Sequence, residues 1–380
     1  MLKRLILIIP SIVIIFTAFP STVYSWEFFD YFNPDLTEKE FFKKNTFDPY
    51  KDIQYLPPYV EGDMFASVNN LSAMRSPKVR KFIYLYLTKA RPFLQRSLAR
   101  CDIYSENTRK IFKEENLPDD LAFLPLLESG FNPVAVSRSG ATGLWQFLAS
   151  TAKPLGLKND VWIDERRHNE KATRAAARHL RGLYNTFHDW ELALSAYNGG
   201  AGYIKRTMLK SGTKTLRELH NRNLMREETS DFVPKFTALL IINKNRKLFG
   251  IDDEVIAEKR EIAEYTFKSQ LDLRTLCEKT GATIELIRKL NPELNTDFTP
   301  PYYKGYRLAI PAEILSKFPG IEDSLYDNRN IAKVIPYRVK KGENIWSISK
   351  KFGKKQIDIL VFNRIADRSN IRAGALIYIP

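Results

Sequence analysis

Cysteine is nearly absent from this chain. Cys101 and Cys277 are the only two among 380 residues and stand far apart, so no disulfide framework can organise the fold, and two buried free thiols are expected. Histidine is almost as scarce. His168, His179, His188 and His220 are the whole complement. None stands in a metal-ligand spacing such as H-E-x-x-H, so neither a metal nor another cofactor is expected. Acids are the minority charge: 44 Asp and Glu face 59 Lys and Arg, a formal net charge of +15.

What is present begins with an apolar leader. Lys3 and Arg4 introduce a run from Leu5 to Phe19, followed by small residues up to Ser25. That order reads as a secretory signal over 1–25, cleaved after Ser25, with an uncleaved anchor as the alternative. No cysteine stands near this boundary, so a lipid anchor there is not expected. Loss of Lys3 and Arg4 still leaves 57 basic against 44 acidic residues. In an exported protein of the periplasm or cell envelope, that balance argues against nucleic acid and for an anionic polymer of the envelope as partner. A monomer is expected.

The length suggests two or three domains, at roughly 150 residues each. Residues 26–76 are rich in aromatics and acids ("WEFFDYF", "EFFKKNTFDPY") with little periodicity. They read as a strap on the next domain or as a partly disordered segment. From 77 to 252 the pattern turns helical. Apolar residues recur at intervals of three and four from Lys78 to Asn116, and "TRAAARHLRGLYNTF", "WELALSAYN" and "DFVPKFTALLIINKNRKLFG" extend it, predicting an all-α globule. Beyond Gly250, the segments 271–292 and 343–364 align without gaps at an offset of 72: Leu273 falls on Ile345, Leu276 on Ile348, Gly281 on Gly353, Ile287 on Ile359 and Asn291 on Asn363. Both later end in Ile-Pro, at Ile310-Pro311 and Ile379-Pro380. The repeat predicts two small βααβ modules, 262–312 and 334–380, joined by a linker over 313–333. The expected class is multidomain α+β.

The stretch "LPLLESGFNPVAVSRSGATGLWQF", Leu124 to Phe147, holds a single acid, Glu128. Pro118 can open a helix and Ser129-Gly130 can end it, which places Glu128 in the last turn beside Leu121, Phe123, Leu124 and Leu127. Apolar neighbours and the negative helix end both disfavour the charged carboxylate. A carboxyl held protonated near neutral pH is a general acid suited to a glycosidic oxygen. Glycoside cleavage usually takes two carboxylates, yet no second acid stands in this motif. Asp160, Asp164 and Glu165 lie in the next loop, where "WIDERR" with its adjacent charges reads as a salt-bridged structural turn.

The same stretch, followed by "WIDERRHNEKATRAAARHL" and "ALSAYNGG", resembles the soluble lytic transglycosylase family, related to goose-type lysozyme. The family's spaced elements Glu-Ser, Gly-Leu-Trp-Gln and Ala-Tyr-Asn occur in order. The resemblance implies a lysozyme-like, all-α catalytic domain acting on peptidoglycan glycan strands. Glu128 would protonate the bond between N-acetylmuramic acid and N-acetylglucosamine, then take a proton from the muramic acid C6 hydroxyl as that oxygen closes onto C1. The resemblance also implies that Ser137 and Gln146 line the cleft, that the Tyr197 phenol approaches the acid, and that Asn198 organises the backbone. Trp145 stands between two readings, a platform for a sugar face or a core residue. There are two departures. A lipobox cysteine is missing, and the family's Glu-Thr-Arg-x-Tyr-Val is here "ETSDFV" (228–233), with Ser230 and Phe232 in place of Arg and Tyr, which leaves contacts to the peptide stem open.

Residues 334–380 resemble a LysM module, and 265–311 its degenerate copy. From Val334 to Pro380 there are ten Lys or Arg and three acids, a net +7. The likeness implies binding of N-acetylglucosamine runs, the charge suits anionic stem peptides, and a tether would raise the effective concentration of strands at the catalytic cleft.

Overall fold

The computed structural model describes residues 63–251, 261–326, 334–363, 365 and 371–380. The expected leader, its cleavage site and the strap up to residue 62 lie outside the described residues. The helical body consists of α1 (Met64–Asn69), α2 (Pro77–Leu87), α3 (Arg91–Glu114), α4 (Pro125–Glu128), α5 (Ala149–Ala152), α6 (Asn169–Phe187), α7 (Trp190–Gly199), α8 (Ala201–Ser211), α9 (Leu216–Asn221) and α10 (Glu227–Lys244). It begins earlier than the periodicity indicates. Helix α1 and the 3-10 turn Ser72–Arg75 bury Met64, Val68, Ala73 and Met74 in the core shared with α2.

The alanine-rich run forms α6 because its small side chains repeat on one face: Ala172, Ala175, Ala176, Leu180 and Leu183 are all buried. A face of methyl groups lets helix backbones approach closely, and α6 packs against both α7 and α3. His168 caps α6, and Asp189 caps α7 by accepting from the Leu192 N–H at 2.8 Å.

Two βααβ modules follow. The first is β1 (Ile262–Phe267), α11 (Leu273–Thr280), α12 (Ile284–Leu290) and β2 (Tyr306–Pro311); the second is β3 (Ile335–Arg338), α13 (Ile345–Phe352), α14 (Gln356–Phe362) and β4 (Leu376–Ile379). Each sheet is one antiparallel pair, in register Ile262 to Pro311 and Ile335 to Ile379. Two strands alone are marginal in water, so each pair is covered by its helices. The repeat extends to a hydrogen-bond pattern. Asn291 donates to the carbonyls of Ile287 (2.8 Å) and Ala309 (2.7 Å) and accepts from the Ala309 N–H (2.8 Å). Asn363 donates to Ile359 (2.7 Å) and Tyr378 (2.6 Å) and accepts from the Tyr378 N–H (2.6 Å).

The expected linker is in part structured. Residues Ala312–Gly320 and Glu322–Tyr326 form 3-10 turns that bury Ile314, Phe318 and Leu325 against the first module, and Lys317 donates to the Thr280 carbonyl. An apolar residue every few positions makes this stretch a flap of the module as far as Tyr326. Residues 327–333 lie outside the described set.

The first module docks on the "WIDERR" turn. Ile163 pairs with Leu294 in a β-bridge, the Asp164 N–H donates to the Glu293 carbonyl (2.8 Å), and the Asn295 N–H donates to the Trp162 carbonyl (2.8 Å). Trp162, 1% exposed, meets rings of both modules edge-on: Phe298 at 6.5 Å, Phe362 at 5.9 Å and Tyr378 at 5.0 Å between centroids.

Candidate active site

Glu128 is placed by a broken helix. After Pro118 the chain makes a 3-10 turn, Asp119–Phe123, and then the single turn α4. Pro125 interrupts the expected continuous helix because it has no N–H to bond. Leu121, Leu124, Leu126 and Leu127 are buried and hold this turn in the core. The chain then reverses at Gly130, whose φ is +58° and where an added Cβ would lie 2.3 Å from Ser97 Oγ; both favour glycine. Ser129 Oγ donates to the Leu144 carbonyl (2.9 Å) and accepts from the Asn132 N–H (3.1 Å). The Glu-Ser pair thus joins the acid to the loop that carries Gly-Leu-Trp-Gln.

That loop, 135–148, is knitted by bridges from Thr142 to Val136 and to Phe147. Gly143 sits at φ +84°, and a Cβ there would fall 1.9 Å from the Arg166 carbonyl oxygen. Arg166 grips the loop from behind. Its guanidinium donates to the carbonyls of Gly140 and Phe147, each at 3.0 Å, and forks onto Asp164 at 2.9 and 2.7 Å. Glu165 accepts from the Lys158 N–H (2.7 Å), Lys171 (2.6 Å) and the Tyr303 hydroxyl (2.8 Å). Asp160 accepts from the backbone of Trp162 and from the Tyr302 hydroxyl. All three acids of the turn are committed to structure, and none lines the cleft.

A cleft of about 570 Å³ opens over Glu128, bordered by Ser137, Arg138, Gln146, Phe147, His179, Tyr197, Asn198 and Glu228 among others. The Glu128 side chain is half-buried, and no hydrogen bond within the described residues reaches its carboxyl. Burial, and second the charge of Glu228, lift its pKa from 4.5 to about 8. The helix end contributes less than the sequence suggested, since α4 is one turn long and its dipole is correspondingly small.

The expected site residues separate into two groups. Ser137 lines the cleft, its Oγ 2.9 Å from Ser139 Oγ and accepting from the Ala141 N–H at 3.0 Å. Gln146, at φ +47°, lines it as well, donating to the carbonyls of Gly143 (2.9 Å) and Ala135 (3.3 Å), so its amide oxygen is left for a ligand. Tyr197 reaches the cleft, but its hydroxyl donates to the Trp145 carbonyl (2.7 Å); burial, and then the charge of Glu128, push that phenol well above its ordinary pKa. Asn198 lines the cleft and accepts from the Thr229 hydroxyl (3.0 Å). Trp145 does not belong with them. It is 0% exposed, stacks on Phe112 with centroids 5.3 Å apart, and donates from Nε1 to Thr173 Oγ1 at 3.0 Å. It is a core residue rather than a sugar platform.

Among the cleft residues that the sequence reading did not single out are Glu228 and His179. Glu228 opens the "ETSDFV" segment and sits in the first turn of α10, a hundred positions from Glu128. His179 lies on α6, one residue before the buried Leu180, in a run whose alanines draw attention to packing alone. Both thiols are free; Cys101 is buried, its pKa pushed up to about 12 chiefly by that burial, while Cys277 is only half-buried.

Comparison with known proteins matches two segments of the chain to domain families. Residues 107–219 match the model of the transglycosylase SLT domain, and residues 337–380 that of the LysM domain. The chain is 25% identical over 317 residues to membrane-bound lytic murein transglycosylase D of Escherichia coli (strain K12), covering 80% of this chain and 70% of that protein. It is 43% identical over 89 residues to the peptidoglycan transglycosylase gp16 of Escherichia phage T7, covering 23% of this chain and 7% of that one. It is 36% identical over 92 residues to membrane-bound lytic murein transglycosylase C of Edwardsiella ictaluri, covering 21% and 26% respectively. The chain therefore carries a transglycosylase SLT domain, whose matched residues include Glu128 and all of the cleft lining but Glu228, followed by a LysM domain.

Proposed function

We propose that the protein is a peptidoglycan lytic transglycosylase that cleaves the β-1,4 bond from N-acetylmuramic acid to N-acetylglucosamine without water, while its LysM module holds the cell wall. One observation carries this reading: a half-buried carboxyl, free of hydrogen bonds from the described residues and protonated near neutral pH, on the floor of a cleft whose rim offers amide and hydroxyl groups. Glu128 donates its proton to the glycosidic oxygen as the C1–O bond breaks, and the N-acetylglucosamine leaves with a free 4-hydroxyl. The resulting carboxylate takes the proton of the muramic acid C6 hydroxyl, and O6 bonds to C1. The product is a 1,6-anhydro end, Glu128 is reprotonated, and atoms and charge balance without a cofactor. The Gln146 amide oxygen and the Ser137 hydroxyl orient the sugar; Tyr197 and Asn198 fix the wall opposite.

The net positive charge and the apolar leader support a location in the cell envelope after export, and the protein is proposed to act there as a monomer. Among the described residues no helix is long and apolar enough to cross a membrane. A hydrolytic reading has one observation in its favour. Glu228 supplies the second carboxylate that water activation would use, and entry of solvent oxygen into the product separates the two routes. The proposal itself is tested by Glu128→Gln, which is expected to bind sacculi as the parent does and to release nothing from them. Equal clearing of a sacculus suspension by variant and parent would refute it.

A further inference from the structure

His179 is the one histidine bordering the cleft. Helix α6 brings it there because Ala172, Ala175 and Ala176 bury the preceding turns against α7, so the same face arrives at the cleft wall one turn later. Its ring is held between two aromatics, Phe147 at 6.1 Å in an edge arrangement and Tyr197 at 5.4 Å. Both neighbours are fixed, Phe147 through its carbonyl bond to Arg166 and Tyr197 through its hydroxyl bond to Trp145. The imidazole is thus oriented before any ligand arrives, yet neither of its nitrogens has a hydrogen-bond partner within the described residues. The cleft is the side from which a partner can come, since His179 is half-buried and lines it.

We infer that His179 is a substrate-positioning residue whose neutral imidazole hydrogen-bonds an uncharged sugar group, an acetamido or a hydroxyl, in the part of the glycan adjoining the acid. A neutral imidazole offers one donor and one acceptor, which matches an amide or an alcohol. Burial holds the ring below its ordinary pKa, so it does not supply the charge that a stem-peptide carboxylate would select. The inference rests on the glycan strand being the substrate of this cleft, as proposed above, and it adds a contact that neither the sequence motifs nor the neighbouring hydrogen bonds assign.

Two variants and one spectrum test it in the full chain. His179→Leu removes both polar atoms at similar volume; on peptide-free glycan strands KM is expected to rise about tenfold with kcat within about twofold, the pattern of a lost ground-state contact. Because the imidazole is unpartnered without substrate, the thermal midpoint of this variant is expected to stay level or rise. His179→Gln keeps a donor and an acceptor and is expected to recover KM to within about threefold of the parent. With only four histidines, the 15N imidazole resonances can be assigned by substitution. In the Glu128→Gln chain, titration with a peptide-free tetrasaccharide of alternating N-acetylglucosamine and N-acetylmuramic acid should shift the His179 pair and leave His188 unmoved. An unchanged KM for His179→Leu, a joint loss of stability and activity showing a purely structural role, or a silent His179 resonance under saturating tetrasaccharide would each overturn the inference. A parent that cleaves nothing while the resonance still moves would instead count against the proposed reaction and leave the contact standing.

Discussion

Replacing Glu128 by glutamine should make the protein more stable, by an amount that depends on pH. Glutamine imitates the protonated acid in shape and hydrogen bonding but has no proton to hold. In the unfolded chain Glu128 ionises at the ordinary value of 4.5, and in the folded chain at about 8. Between those values the folded state binds one proton more than the unfolded state, so parent stability falls as pH rises, by about 1.4 kcal/mol per pH unit, and levels off above the folded value. The whole interval would amount to roughly 4–5 kcal/mol for a sealed site; the carboxyl opens on the cleft, and water there reduces this to about 2–4 kcal/mol. Thermal unfolding of parent and Glu128→Gln measured from pH 4 to pH 9 should therefore give midpoints that coincide at the acid end. They should then diverge by about 4–16 °C at the alkaline end, taking roughly 2–4 °C per kcal/mol for a body of this size. Taking the difference cancels the titrating groups that do not interact with Glu128, including Glu165, whose hydrogen bonds outweigh its burial and hold it below the ordinary range. Parallel midpoints across the range would show that Glu128 ionises as a solvated glutamate, and the argument for a resident proton would fail.

Other perturbations address the frame around the acid. Arg166→Met leaves Asp164, 2% exposed, without its ion-pair partner and takes one donor from each of the loop carbonyls of Gly140 and Phe147, which keep their hydrogen bonds from Thr142. The expected loss is about 3–5 kcal/mol in denaturant unfolding, with partial recovery in the double variant with Asp164→Asn; a loss below 1 kcal/mol would mean that the loop is held by other contacts. Trp162→Ala removes the ring on which both modules meet and should destabilise by about 3–5 kcal/mol, whereas a smaller effect would indicate that the modules dock without it. Trp346 stands 54% exposed on the LysM domain, with Lys350 Nζ 4.3 Å from its ring centroid. Its replacement by alanine should weaken sacculus pull-down several-fold while leaving cleavage of short strands unchanged, and an unaltered pull-down would remove this face from wall binding.

Much of this arrangement is readable in the chain because local rules and tertiary demands coincide. The alanine face of α6, the glycines at 130 and 143 and the paired asparagines 291 and 363 each carry a physical requirement that only one or two residue types meet. What escaped reading depends on contacts distant in sequence. Trp145 reads equally as platform or core until Phe112 is found stacked on it. Glu228 is invisible as a partner of Glu128 because α10 returns to the cleft only in the folded chain. The charges of "WIDERR" announce a turn, but not that Arg166 reaches back to clamp the cleft loop, nor that Trp162 seats two modules. The run from Ala312 to Tyr326 passes for a linker because 3-10 turns leave no long periodic signature.

The central claim is that one protonated carboxyl serves both proton transfers while the sugar's own hydroxyl replaces water. Digestion of purified sacculi in 18O-labelled water, followed by mass spectrometry of the released muropeptides, tests it most directly. The account predicts products one water lighter than the hydrolytic ones and free of label; reducing ends carrying 18O at C1 would contradict it.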